Sequence, residues 1–312
     1  MSAILTGCYT AIVTPFGTEG NRWDHPINHL TLDRLLNYGI VNGVDGFVVA
    51  GCTGSDAVLT IDEQVGLVRY VKRAVGDKAA VIAGDGSNCT HEAIEMAKRM
   101  EGEAGVFLHL QVSPYKNKPS DIGMVEHFRA VADSIEGGVI LYSVPGRTGG
   151  KGILPQTAEA LCQHPSIYGI KEASGDIDRI SKTIRLTKGK DPSFSVLSGD
   201  DGMTVPIIRA GGDGVISVAS NICPKPVSLI VKCALDGDFA GAAAADECLR
   251  ELYSALFPKS DCNPSPNPVM AHYALDRMGY SVGVPRLPMT EGSKQEKAAM
   301  DKALRNLGLI SD

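Results

Sequence analysis

The chain has 312 residues, a formal net charge of −6, and 44% hydrophobic against 21% charged residues, which fits one large core with a smaller appendage and excludes a mainly disordered chain. Its apolar runs fall well short of the roughly 20 residues that cross a bilayer. The acidic balance, relieved only by short basic clusters such as Lys188-Gly-Lys190, excludes an extended nucleic-acid footprint.

In chain order, the opening Met1-Ser2-Ala3-Ile4-Leu5-Thr6-Gly7 lacks the basic flank and long apolar stretch of an export signal, so a cytoplasmic address is expected. Short β-rich apolar runs then alternate with helical patterns. Strands are predicted over Tyr9 to Thr14, Gly46 to Ala50, Ala80 to Ala83, Val106 to Val112, Gly138 to Tyr142, Ile167 to Lys171, Phe194 to Ser198 and Gly214 to Val218. Between them, Leu32, Leu35, Leu36 and Ile40 recur at helical spacing, and Thr60-Ile-Asp-Glu63 forms a capping box ahead of Val65, Val68 and Val71. After Pro224 the strand signals stop. Helices are predicted over Pro226 to Leu235, Phe239 to Phe257, Val269 to Met278 and Lys294 to Leu307, the last opened by Ser293-x-x-Glu296. Eight strands that alternate with helices predict a (β/α)8 TIM barrel over residues 1–223, with a C-terminal helical region over 224–312 packed on it. A doubly wound sheet is disfavoured because no GxGxxG opens the chain, and Gly84-Asp-Gly86 is followed by Cys89 where a third glycine would stand.

Eight cysteines, at 8, 52, 89, 162, 223, 233, 248 and 262, form no CxxC pair or Cys/His cluster, so most read as buried thiols and no metal site is expected. His25 and His29 stand four apart without an intervening glutamate of the HExxH kind, in a loop-like segment.

In such a barrel the chemistry sits at the C-terminal ends of the strands. The sixth strand ends in Lys171-Glu172 after the apolar run Ile167 to Ile170. A lysine whose stem is held in the core and whose amine is desolvated is partly neutral near pH 7; it attacks carbonyls to give an imine that serves as an electron sink. The competing reading is an ion pair of Lys171 with an acidic neighbour such as Glu172. Tyr142, at the end of the fifth strand, could relay protons to and from such an imine, or simply sit at the wet edge of the core. Thr53 and Gly54 follow the second strand, where a hydroxyl and backbone N–H groups could hold a carboxylate, or form a plain turn. Arg147 offers a bidentate fork for a second carboxylate, with a surface ion pair as its alternative.

Together, Ala11-Ile-Val-Thr-Pro15, Gly51-Cys-Thr-Gly54, Ala83-Gly-Asp-Gly-Ser-Asn88, Ser113-Pro-Tyr115, Leu141-Tyr-Ser-Val-Pro145, Gly169-Ile-Lys-Glu172, Leu197-Ser-Gly-Asp-Asp201 and Gly212-Asp-Gly-Val-Ile-Ser217 resemble the dihydrodipicolinate synthase and N-acetylneuraminate lyase family of pyruvate-dependent class I aldolases. The resemblance covers nearly the whole chain. It implies Lys171 as the Schiff-base lysine, Tyr142 as proton donor and acceptor, Thr53 and Gly54 as the pyruvate carboxylate site and Ile216 as a backbone contact to pyruvate. Arg147 resembles the synthase branch, in which an arginine receives the carboxylate of the aldehyde. The implied reaction condenses pyruvate with L-aspartate 4-semialdehyde to 4-hydroxytetrahydrodipicolinate, on the way to diaminopimelate and lysine, with no cofactor beyond the covalent imine.

Two positions depart from the synthase pattern, in which Gly-Thr-Thr-Gly-Glu follows the second strand and a relay tyrosine follows the Ser-Pro-Tyr motif. Cys52 replaces the first threonine of the proton relay, and Lys116 stands where a neighbouring subunit normally contributes a relay tyrosine. The family also implies a homotetramer built as a dimer of dimers, and a lysine-binding allosteric site. Asn88, Glu92 and Tyr115 match that site, while Asp56 and Gln64 occupy its variable positions. An in-family aldolase acting on a sugar-acid or 4-hydroxy-2-oxoglutarate type of substrate, and a catalytically impaired pyruvate-binding paralogue, remain as alternatives.

Overall fold

The computed structural model describes residues 4–259 and 264–311; Met1 to Ala3 of the opening segment and Cys262 lie outside the described residues. Eight parallel strands, β1 (Gly7–Ala11), β2 (Gly46–Val49), β3 (Ala80–Gly84), β4 (Leu108–Val112), β5 (Gly138–Ser143), β6 (Ile167–Glu172), β7 (Ser195–Ser198) and β8 (Gly214–Ser217), pair in chain order, and β1 closes onto β8. This is the barrel expected from the sequence.

Side-chain alternation along each strand creates two cores. Tyr9, Val48, Ile82, Leu110, Ile140, Leu197 and Ile216 share the barrel interior. Phe47, Val49, Leu141, Ile170 and Val196 belong to the clusters that join the strands to the surrounding helices. Both faces of most strands are therefore apolar, which is why they read as continuous hydrophobic runs; β4 differs, with His109 and Gln111 on its outer face both hydrogen-bonded to Asp85.

The first strand begins and ends earlier than the predicted Tyr9 to Thr14. Gly7 already pairs with Gly214, whereas beyond Ala11 the backbone leaves the ladder. The Val13 N–H donates to Asn221 Oδ1 and the Thr14 hydroxyl to Gly54 O, so side chains and turns satisfy what strand pairing does not. The capping boxes at Thr60/Glu63 and Ser293/Glu296 are both formed. The single helix expected over Phe239 to Phe257 is two, Phe239–Glu247 and Arg250–Leu256. Between them the Leu249 N–H turns to Asp246 O, a tighter i−3 bond that breaks the α-helical ladder.

After β8 the helix Pro224–Leu235 packs on β1 and completes the outer ring. Val269–Arg277 and Lys294–Asn306 pack on each other. Arg286 locks this region to the barrel: its buried guanidinium donates to His25 O, Val58 O and both carboxylate oxygens of Glu63, and stacks 5.1 Å from the Phe16 ring centroid.

The expectation that most cysteines are buried does not hold. Of the described thiols Cys8, Cys162 and Cys223 are buried, Cys52 and Cys233 are half-buried, and Cys89 and Cys248 are exposed. The last two stand at helix ends that face solvent. His25 binds Glu19 O and His29 packs on Tyr70. In the basic cluster Lys188-Gly-Lys190, Lys188 pairs with Asp213 at 2.6 Å.

Candidate active site

Strand parity decides the fate of the central lysine. Lys171 lies in register with Tyr142 on one side and Leu197 on the other, both of the interior cluster, and it is only 6% exposed. Glu172, one residue on, turns to the opposite face, where its carboxylate accepts from Ser174 N at 2.8 Å and faces Arg179 Nε at 3.8 Å. The period of two in a strand thus separates Lys171 from the neighbour with which it could have paired.

Burial is the largest influence on the Lys171 amine and pushes its pKa from 10.5 down to about 8. Arg147 pushes the same way, while Cys52, Asp201 and Asp56 oppose it. The amine stands 4.3 Å from the centroid of the Tyr142 ring. Gly199 leaves room for its stem, since a Cβ there would come within 3.2 Å of Lys171 Cε. Tyr142 is itself buried, which drives the phenol above its ordinary pKa and keeps it protonated.

The loop after β2 forms a tight turn beside these two residues. Ala50 and Ser55 adopt left-handed backbone at φ 55° and 61°, and a Cβ at Gly54 would press on Ala50 N at 3.1 Å and Ile12 O at 3.2 Å. Thr53 is buried, and its hydroxyl accepts from Asn267 Nδ2 at 2.9 Å. Among the described residues the N–H groups of Thr53 and Gly54 donate to no protein acceptor, so two amide donors beside the lysine are left for an anion. Ile216 lies fully buried on β8 opposite Tyr9. Arg147, in the short helix Pro145–Thr148, is exposed and lines a cavity of about 340 Å³ together with Cys52 and Asp56.

The structure therefore brings Lys171, Tyr142, Thr53, Gly54, Ile216, Arg147 and Cys52 to one end of the barrel. Lys116 is not among them within the chain: it is exposed, with φ 70°, in the loop after β4. The three allosteric candidates are adjacent, since Asn88 Nδ2 donates to Tyr115 O at 3.1 Å and Glu92 and Tyr115 line the same 340 Å³ cavity.

Two neighbours of these residues escaped the sequence reading. Asp201 is buried near the lysine, accepts from Ser217 Oγ, Val218 N and Ala219 N, and is raised by burial to about 6. Asn267 holds Thr53 from 214 residues away in the chain, and no local pattern could signal it. Asp56, read from the sequence only as a variable position of the lysine-binding site, lines the same cavity as Cys52 and Arg147.

Fold and site together define a βα-barrel enzyme with a buried lysine at the end of its sixth strand. The chain belongs to the dihydrodipicolinate synthetase family, whose model matches residues 4–307. A 4-hydroxy-tetrahydrodipicolinate synthase of Pseudoalteromonas atlantica is 39% identical over 99% of this chain and 100% of its own length. Among solved structures, the chloride-inhibited dihydrodipicolinate synthase of Acinetobacter baumannii complexed with pyruvate is 33% identical, with a TM-score of 0.89 over 98% of this chain and 99% of its own. The enzyme of Cyanidioschyzon merolae with lysine bound is 35% identical, with a TM-score of 0.90 over 99% and 100%.

Proposed function

We propose that this enzyme condenses pyruvate with L-aspartate 4-semialdehyde to 4-hydroxytetrahydrodipicolinate through an imine on Lys171. The observation that carries the reading is the Lys171 amine, buried, lowered to about 8 and set against Tyr142. In its neutral form the amine attacks the pyruvate carbonyl. Tyr142 protonates the departing hydroxyl as water leaves, then takes a proton from the methyl group of the imine to give the enamine. The free N–H groups of Thr53 and Gly54 and the Thr53 hydroxyl hold the pyruvate carboxylate, and Ile216 contributes its backbone. The enamine carbon attacks the aldehyde, and Arg147 receives the aldehyde's carboxylate by a bidentate pair.

The chemistry needs no cofactor beyond this imine. No helix among the described residues is long and apolar enough to cross a membrane, and cytoplasmic residence accords with a biosynthetic role. We further read the protein as a homotetramer, with Lys116 of one chain reaching a neighbour's relay, and the Asn88, Glu92 and Tyr115 pocket as a lysine-feedback site.

Incubation with pyruvate and cyanoborohydride followed by peptide mass spectrometry tests the imine; an unmodified Lys171 would sink the reading. A coupled assay with aspartate semialdehyde beside sugar-acid aldehydes then tests the second substrate, and turnover confined to the latter would move the enzyme to the alternative aldolase activity.

A further inference from the structure

Arg147 stands on a slight support. The helix that carries it, Pro145–Thr148, is four residues long, and the chain leaves it through Gly149 and Gly150 in left-handed backbone at φ 97° and 95°. Glycine adopts that conformation freely and does little to hold it. An arginine at the barrel mouth serves a carboxylate only when its guanidinium waits where the carboxylate arrives. The segment's own bonds are local: Arg147 N and Thr148 N donate to Val144 O, and Gly150 N to Pro145 O at 2.8 Å. Beyond it, the Ser113 hydroxyl donates to Thr148 Oγ1 at 3.2 Å. The pair of Lys151 with Asp121 at 2.7 Å is exposed on both sides, and such a pair contributes little.

A firmer hold comes from the far side of the barrel wall. Arg179 lies in the first turn of the helix Ile177–Lys188, where its N–H donates to the capping Asp176 Oδ1 at 3.1 Å. Its guanidinium reaches three places at once. Nη1 donates to Lys151 O at 3.0 Å, Nη2 to Ile153 O at 2.6 Å and to Ser143 Oγ at 3.4 Å, and Nε faces the fully buried Glu172 carboxylate at 3.8 Å. Ser143 Oγ also accepts from Ile153 N at 3.2 Å, so both backbone groups of Ile153 are tied to the end of β5. Gly152 fills the joint. A Cβ there would meet Ser143 Oγ at 2.8 Å, Pro145 Cγ at 2.9 Å and Arg179 Nη2 at 3.1 Å. The returning chain is thus pressed against Pro145, the first residue of the helix that carries Arg147. Only a planar fork joins two carbonyls, a hydroxyl and a carboxylate in this way; a lysine is a single point charge.

We propose that Arg179 is the positioning residue for Arg147: with Glu172 and Ser143 it clamps the chain that returns from the Arg147 helix, and so sets the affinity of the site for the aldehyde's carboxylate without a part in imine formation. The inference rests on the reading of Arg147 as the group that receives that carboxylate. Strand parity divides the labour. Lys171 turns into the barrel toward pyruvate, while Glu172, one residue on, turns outward and anchors the clamp. Arg179 acts through the backbone from Ile153 back to Pro145, not by contact with a substrate.

The test is steady-state kinetics with each substrate varied in turn, beside borohydride trapping of pyruvate on Lys171. Arg179→Lys keeps a positive charge near Glu172 but loses the fork. It should raise KM for aspartate semialdehyde about tenfold, with kcat and the pyruvate KM within about twofold of wild type and trapping unchanged. Gly152→Ala wedges the same joint without removing a charge and should give the same pattern, which keeps the test decisive if the arginine variant folds poorly. In an Arg147→Ala background, Arg179→Lys should cost less than about twofold more, because a residue that acts through Arg147 then has nothing to position. A wild-type aldehyde KM in Gly152→Ala or in folded Arg179→Lys would overturn the proposal. So would a full further loss in the double variant, or an equal loss of pyruvate trapping, since either gives Arg179 a general structural role. Unchanged aldehyde kinetics in Arg147→Ala alone would remove the reading of Arg147 and the clamp with it, and leave the imine standing.

Discussion

The pH dependence of imine formation follows directly from the burial of Lys171. Lowering the amine from 10.5 to about 8 corresponds to about 3 kcal/mol of lost preference for the charged form. At pH 7 an amine at about 8 is neutral in about one molecule in ten, against about one in three thousand for an ordinary lysine, a gain of about 300-fold in nucleophile. Below its pKa the group holds a proton and cannot attack; above it the amine is free. The rate of adduct formation at subsaturating pyruvate should therefore rise tenfold per pH unit and level off above about pH 8. Asp201→Asn removes an anion that favours the ammonium while keeping an oxygen to accept from Ser217, so the rising limb should move to lower pH. Cyanoborohydride trapping read by peptide mass spectrometry from about pH 6 to about pH 10 measures both limbs. A wild-type limb near 10.5 would refute the reasoning, as would a limb that moves upward in Asp201→Asn.

Three other outcomes are expected. Arg147→Ala should lower kcat/KM for aspartate semialdehyde by about 10–100-fold, the loss of a charge-assisted bidentate pair, with the pyruvate adduct unchanged; steady-state kinetics against both substrates checks it. Cys52→Ala should reduce kcat about 10²-fold at unchanged pyruvate KM, and Cys52→Thr should retain turnover because its hydroxyl both donates and accepts. Arg286→Ala should destabilise the fold by about 3 kcal/mol, measured by denaturant unfolding near neutral pH, since it strands Glu63 and uncouples the C-terminal region. Glu63 is held below its ordinary pKa first by its hydrogen bond with Arg286. That contribution is complete above the unfolded carboxylate value and fades as pH falls through the folded one, so the gap between wild type and Arg286→Ala should narrow in acid.

Much of this protein was legible before any coordinates. Eight apolar runs gave the barrel because most strands covered on both faces carry no polar alternation, and the end of the first strand was misread where side chains such as Asn221 took over from the ladder. Lys171 and Tyr142 were singled out because strand ends are where a barrel exposes chemistry. Glu172 is adjacent to Lys171 in the chain and on the opposite face of the strand in space, and only the assembled barrel shows that Lys171 takes the buried interior face.

The sequence determined the strand count, the helix caps and the order of the reactive residues, all of which depend on patterns a few residues long. Tertiary structure alone decided the depth at which Lys171 is desolvated, the hold of Asn267 on Thr53 across 214 residues and the meeting of Cys52, Asp56 and Arg147 at one cavity. Those properties arise from barrel closure, which joins distant strand ends and removes water from between them, and a pKa is set by that surrounding medium rather than by the residue that carries it.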